Sequence, residues 1–184
     1  MAETKYSLFE TAIGRCGIAW GGGGIVGVQL PEARAADTRA TMTKRFPDAV
    51  ECALPADVQR ATDAIVALLR GQARDLSDIP LDMRRVPRFH QRVYEVARTI
   101  PPGATLTYGE LARRLGEPGA ARAVGQALGR NPFALVVPCH RVLAAGGKVG
   151  GFSAGGGITT KLRLLAIEAA HTARERDLFG GDGE

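Results

Sequence analysis

The stretch Thr107-Tyr108-Gly109-Glu110-Leu111-Ala112-Arg113-Arg114-Leu115-Gly116-Glu117-Pro118-Gly119-Ala120-Ala121-Arg122-Ala123-Val124-Gly125-Gln126-Ala127-Leu128-Gly129-Arg130-Asn131-Pro132 decides how the chain is read. Thr107 can cap a helix, and Glu110 three residues on completes a capping box, in which each side chain accepts the other residue's free backbone N–H. Leu111 and Leu115, one turn apart, make that helix's apolar stripe. Gly116-Glu117-Pro118-Gly119 is a short turn. Ala120 to Gly129 reads as a second helix, stopped by Asn131-Pro132 because the residue before a proline avoids the α region. Helix, short turn, helix is the pattern of a helix-turn-helix. Any helical hairpin looks alike in one sequence, so the pattern by itself leaves a scaffold role open. Small residues at Ala120, Ala121, Ala123, Gly125 and Ala127 would let the second helix approach another surface closely, with Arg122 the long cationic side chain projecting from its start.

Charge separates this stretch from the rest of the chain. The 184 residues carry a net +5, but residues 1–83 carry −2, residues 84–163 carry +10 and residues 164–184 carry −3. A basic block suits an anionic partner, nucleic acid first, although it also serves solubility. The hydrophobic fraction of 45% and charged fraction of 23% are those of a folded globular protein with a sizeable core. Neither a membrane-length apolar run nor a secretory leader is legible, which makes the cytoplasm the expected compartment. Cys16, Cys52 and Cys139 form no CxxC pair, and His90, His140 and His171 lie at no zinc-like offset from a cysteine pair, so free thiols and no metal are expected.

Upstream, Tyr6–Phe9, Gly17–Trp20 and Ile25–Val28 alternate with turn residues and read as an antiparallel meander. The Gly21–Gly24 run lies between two strands with no Gly-Lys-Ser/Thr after it, so it reads as a hairpin turn rather than a phosphate loop. Helices are expected over Ala33–Phe46 and over Ala56–Leu69, where Val58, Ala61, Ile65, Leu68 and Leu69 fall at helical spacing. The change of charge sign at Arg84-Arg85-Val86-Pro87-Arg88 places the domain boundary there, and a helix follows over about Phe89–Thr99.

Downstream, the apolar run Phe133–Val137 leads into Pro138-Cys139-His140-Arg141-Val142. A thiol beside an imidazole is the minimal ingredient of nucleophilic catalysis, because free cysteine, with a pKa of about 8.5, needs a base or a positive field to ionise at neutral pH. Side chains of adjacent residues diverge, which makes a bridging water a reasonable relay between His140 and the sulfur. A hairpin from Val142-Leu143 to Val149 is expected around Gly146-Gly147, followed by the glycine-rich Gly150–Gly157. A last helix is expected over about Ile158–Ala170, with Leu162, Leu165, Ala166 and Ala169 in its apolar pattern. Glu168, one turn beyond Leu164 and Leu165, faces the interior in this reading, and a buried carboxylate needs a partner. His140, in a triad, or Arg141, in a structural ion pair, would supply it, and spacing alone favours Arg141.

These residues resemble the O6-alkylguanine-DNA alkyltransferases, the methylated-DNA-protein-cysteine methyltransferases. The matching strings are Thr107-Tyr108-Gly109-Glu110-Leu111-Ala112, Ala120-Ala121-Arg122-Ala123-Val124-Gly125, Asn131-Pro132, Pro138–Val142 and Lys161-x-x-Leu164-Leu165-x-x-Glu168, in family order from about Phe89 to Ala170. The resemblance implies an α/β protein: a ribonuclease-H-like N-terminal domain with an antiparallel sheet and helices over 1–83, a mainly helical winged-helix-like domain with the helix-turn-helix over 84–170, and a polar tail over 171–184. It implies Cys139 as alkyl acceptor, His140 as base through water and Glu168 as the carboxylate orienting His140. Tyr108 would help rotate the nucleotide and donate a proton or a hydrogen bond to the leaving guanine. Arg122, on the recognition helix with Ala121, would fill the gap in the base stack, and Asn131 would brace the turn into the reactive loop. Ser153, Phe152 and the backbone at Val142 would line the pocket.

The partner so implied is double-stranded DNA carrying O6-alkylguanine, with O4-alkylthymine a second candidate, and the protein would act once as a monomer without cofactor, because a thioether does not hydrolyse. Phe152 stands where many relatives carry tyrosine, and Ala154–Gly157 lengthens the glycine stretch. Both bear on which alkyl groups fit. Some relatives bind zinc in the N-terminal domain, for which this chain has no credible ligand set. Two other readings stay open on the residues alone: a cysteine hydrolase using a Cys-His-Glu set, and a module that binds alkylated DNA without chemistry.

Overall fold

The computed structural model describes residues 3–179. Strands β1 (Lys5–Thr11), β2 (Gly14–Gly21) and β3 (Gly24–Gln29) form the expected antiparallel meander, with Gly21 paired to Gly24 across the hairpin turn. A two-residue strand, β4 (Val50–Glu51), adds to β1 in parallel, so the sheet is mixed, in the order β3-β2-β1-β4, rather than antiparallel throughout. Side chains alternate across it. Phe9, Cys16, Ile18, Trp20, Ile25 and Val28 enter the main core with Val58, Ile65 and Leu68 of α2 (Ala56–Leu69), while Tyr6 and Ala19 pack with Met42 of α1 (Ala35–Arg45). Gly17 is needed on the α1 face, since a Cβ there would lie 2.6 Å from Cγ of Met42.

The second half is helical: α3 (Arg88–Ala97), α4 (Tyr108–Arg114), α5 (Ala121–Gly129) and α6 (Gly157–Phe179). The Thr107–Glu110 capping box is present as expected, with Glu110 N–H donating to Thr107 Oγ1 at 3.1 Å. The expected hairpin over 142–149 is reduced to a turn closed by Ala144 N–H to Lys148 O at 2.8 Å, without paired strands. Val142–Leu143 instead forms β6, parallel to β5 (Leu106–Thr107), and Ala145–Gly147 is a short 3-10 turn. Leu106 and Thr107 run directly into α4, so this pairing fixes the start of that helix beside the reactive segment.

The apolar phase expected of α6 is also corrected. Leu162 is 49% exposed and Ala166 and Ala169 face solvent, whereas Lys161, Leu164 and Glu168 are buried. Spacings of three and four residues put these three on one face. The helix passes the expected end at Ala170 and takes in much of the expected tail, of which 180–184 lie outside the described residues.

The two halves share one core, in which Val93, Leu111, Val124, Phe133 and Leu164 join the residues of β1–β3 and α2. They also meet at the edge of β3, which pairs with Pro80–Asp82 of the first half and with Pro132 of the second. Ile25 N–H donates to Pro80 O and Asp82 N–H to Ile25 O, while Val28 N–H donates to Pro132 O, each at 2.8–2.9 Å. Gly24, at φ +118°, admits this close approach, because a Cβ there would lie 2.6 Å from Pro80 O. The outer edge of β3 is thereby paired at Ile25 and Val28 rather than left open.

Candidate active site

Burial decides the character of the site. Cys139, His140 and Arg141 form a 3-10 turn after the apolar segment Phe133–Val137, which is buried and includes Leu135 at φ +70°. Among the described residues Leu135 is the non-glycine residue in the left-handed region, a conformation costing about 1–3 kcal/mol that only well-packed surroundings maintain. The segment is closed by Asn131. Its Nδ2 donates to Val137 O at 2.9 Å, the carbonyl that also accepts from Cys139 N–H at 2.8 Å, and its Oδ1 accepts from Phe133 N–H at 2.9 Å.

Behind the thiol, Glu168 joins both candidate partners. His140 Nε2 lies 2.8 Å from Oε1, Arg141 Nη2 donates to the same oxygen at 2.8 Å, and Arg141 Nε donates to Oε2 at 3.0 Å. Arg141 also donates to Ile100 O at 2.6 Å. Burial pushes the Glu168 carboxyl up, but hydrogen bonds and charge from His140 and Arg141 outweigh it and hold the pKa at about 2. Burial lowers the pKa of His140 against the pull of Glu168. The neutral-pH arrangement is therefore a carboxylate and a guanidinium beside a neutral imidazole. The carboxylate accepts, so the proton sits on Nε2 and Nδ1 is left as acceptor. Nδ1 is buried with no partner among the described residues. A base with an open lone pair on the side away from its orienting carboxylate can take a proton from a nearby thiol through one water.

Burial also raises the Cys139 thiol pKa. It is opposed by the Asn131 amide, by the charge of Lys161 and by the backbone N–H groups of Cys139 and His140. Lys161 is a residue that sequence reasoning quoted without a role. It is fully buried, and its Nζ donates to Val142 O at 2.7 Å and Gly151 O at 3.4 Å. The signal was legible: a lysine in phase with Leu164 and Glu168 on a buried helix face needs acceptors.

In front of the thiol lies a cavity of about 420 Å3 lined by Tyr108, Gly125, Leu128, Gly129, Cys139, Gly151, Phe152 and Ser153. This volume falls in the range of small-molecule sites. Tyr108 stands between α5 and the glycine loop, where Cβ atoms at Gly125 and Gly150 would lie 3.8 and 3.5 Å from it. Its hydroxyl has no hydrogen bond among the described residues. Ser153 Oγ is committed to Gly129 O at 2.8 Å. Val142 is wholly buried and outside this lining, its carbonyl held by Lys161. Arg122 is exposed on α5, without a protein partner among the described residues, and Ala121 beside it is half-buried. The structure thus gathers Cys139, His140, Glu168, Asn131, Tyr108, Phe152 and Ser153 around one thiol and leaves Arg122 and Ala121 on the flank. No group of three or more metal-ligating side chains occurs among the described residues, and no helix among them is long and apolar enough to cross a membrane.

Comparison with known proteins meets the same residues. The family described as 6-O-methylguanine DNA methyltransferase, DNA binding domain, matches residues 88–170. A methylated-DNA–protein-cysteine methyltransferase of Mycobacterium tuberculosis is 38% identical over 174 residues, covering 95% of this chain and 98% of that protein. The protein of the same name from Mycolicibacterium paratuberculosis is 47% identical over 119 residues, covering 65% of this chain and 70% of its own length. Among solved structures, the Mycobacterium tuberculosis OGT in complex with DNA superposes with a TM-score of 0.73 at 36% identity, covering 91% of this chain and 94% of that one.

Proposed function

The chain belongs to the methylated-DNA–protein-cysteine methyltransferase family, and we propose that Cys139 is the cysteine that receives the alkyl group. The activity is irreversible transfer of the alkyl group of O6-alkylguanine in DNA to the protein itself. One observation carries the assignment to Cys139: it is the thiol that borders the cavity while the buried His140–Glu168 bond, 2.8 Å long, lies behind it. Cys16 is sealed in the core, its pKa pushed up to about 12 by burial.

In this reading the guanine leaves the duplex, because a thiolate cannot reach an alkyl group inside the base stack. Extrusion costs a few kcal/mol, less for a damaged base, and an inserted side chain offsets part of it. Arg122 is that side chain, with Ala121 allowing α5 to lie close to the backbone. The Cys139 proton passes through water to Nδ1 of His140, the thiolate attacks the alkyl carbon, and the carbon–O6 bond breaks with its electron pair going to guanine. Tyr108 protonates or hydrogen-bonds the leaving base, and the proton taken up by His140 returns through water, so that neutral guanine is released. Glu168 orients His140, Asn131 braces the turn into the reactive loop, and Phe152 and Ser153 shape the pocket. A thioether remains on Cys139, so each molecule acts once.

The finer architecture belongs to the same proposal: a ribonuclease-H-like domain over 1–83, and a winged-helix-like domain over 84–170 in which α4, the turn and α5 form the helix-turn-helix. The meander with α1 and α2 supports the first, and α4–α5 beside the β5–β6 pair supports the second. The partner is duplex DNA bearing O6-alkylguanine, an assignment supported by the +10 charge of residues 84–163. Mixing a known amount of protein with excess duplex containing O6-methylguanine tests the reading. DNA methyl should disappear in one burst that stops at the amount of protein. Continued turnover, or no loss of methyl, contradicts it.

A further inference from the structure

α1 ends at Arg45, whose guanidinium bridges its own half of the molecule and the second. Nη1 donates to Gln29 Oε1 at 2.7 Å and Val28 O at 3.3 Å, and Nη2 donates to Pro132 O at 3.1 Å. Phe46 lies beneath it, 5.2 Å from the guanidinium carbon to the ring centroid. Pro132 O accepts a second bond, from Val28 N–H at 2.9 Å. The next residue back is Asn131, whose amide donates to Val137 O at 2.9 Å, the same carbonyl that accepts from Cys139 N–H at 2.8 Å. We infer that Arg45 is a positioning residue of the reactive centre: it ties the Asn131-Pro132 turn to the N-terminal half and so holds the Asn131 amide on the Val137 carbonyl that anchors Cys139.

The chemistry of the contact supports a positioning role over a purely stabilising one. All three acceptors are neutral oxygens, and burial lowers the Arg45 pKa. A cation sunk among neutral acceptors is a poor source of stability, since an apolar side chain of similar volume avoids the desolvation cost. What the guanidinium supplies is geometry: a rigid fork whose two ends grip separate elements, which lysine lacks. The groups that act electrostatically on Cys139 are elsewhere. Lys161 of α6 acts on the thiol by charge and the backbone N–H groups of Cys139 and His140 by hydrogen bonding, Tyr108 of α4 and Tyr94 of α3 lie near enough to feel the thiolate, and Arg45 acts only through Asn131.

The inference rests on Cys139 being the acceptor, so the wild-type protein is first shown to gain methyl at Cys139 from O6-methylguanine duplex. If it does not, both readings fall. The rate of Cys139 alkylation by iodoacetamide, resolved by peptide mass, is then followed against pH in the full-length wild type and in Arg45→Met. The expected result is a profile moved to higher pH, with a fall of about tenfold at neutral pH that closes as the thiol ionises fully, since small misplacements of a reacting group have effects of this size or larger. Gln29→Leu, which removes one anchor of the guanidinium and leaves Pro132, should move the profile the same way by less, and decides the matter if Arg45→Met does not fold. A profile at the wild-type position in a folded variant, or an equal fall at every pH, overturns the inference.

Discussion

The two sides of Cys139 are built on opposite principles. Behind it, His140, Arg141, Lys161 and Glu168 are each at most 5% exposed and bonded to named partners. In front of it and along α5, Tyr108 has an uncommitted hydroxyl and Arg122 reaches into solvent without a protein partner among the described residues. The rear is complete in the free protein, and the front offers groups that only a second molecule can satisfy. Chemistry in this molecule is therefore set in advance by tertiary structure, whereas recognition waits for DNA.

The largest expected break in that contrast is Glu168→Ala. It leaves the Arg141 guanidinium buried without its carboxylate, a change costing about 3–5 kcal/mol. The thermal midpoint should fall by about 10 °C or more for a chain of this size, and transfer should slow in whatever remains folded. A midpoint close to wild type would mean that the rear cluster does not hold the fold. Arg122→Ala should do the reverse. Stability should stay within about 0.5 kcal/mol, as for exposed residues generally. Repair of O6-methylguanine in duplex should fall more than transfer from a free-base substrate, and equal losses would argue against insertion into the base stack. Thr107→Ala removes the cap at the start of α4 and should cost about 1 kcal/mol. Because Tyr108 is the next residue, the transfer rate should drop with it.

Acid should weaken the rear and not the front. The unfolded chain protonates histidine near pH 6.5, while buried His140 resists, so stability should begin to fall as pH drops below about 6.5. Glu168 adds a second decline, present from about pH 4.3 and complete once pH passes its folded pKa of about 2. Thermal midpoints across this range check the sign, and a midpoint that rises on acidification would contradict it. The smallest intervention is salt. Phosphate contacts release counterions, so DNA affinity should fall steadily with ionic strength. Salt-independent binding would remove the proposed use of the basic block.

How much of this was legible in the sequence follows the range of the interactions. Short-range signals were read correctly: the Thr107–Glu110 box, the Gly21–Gly24 turn, and α2 over Ala56–Leu69 are all present. Features set by distant partners were not. Val142–Leu143 pairs with Leu106–Thr107 instead of folding back on Val149, and β4 joins β1 in parallel, because nothing local specifies either partner. The apolar pattern expected of α6 does not mark its buried face. Leu162 is exposed while Lys161 is buried, a placement that depends on the carbonyls of Val142 and Gly151. The competition of His140 and Arg141 for Glu168 had no winner, since the carboxylate has oxygens enough for both.

The central claim is that Cys139, and neither of the other two cysteines, takes the alkyl group. Peptide mass spectrometry after incubation with duplex containing O6-methylguanine tests it most directly. The account predicts one added methyl group per chain, located on the peptide that carries Cys139, and none in a folded Cys139→Ala variant. Methyl found on Cys16 or Cys52, or retained by the variant, would contradict it.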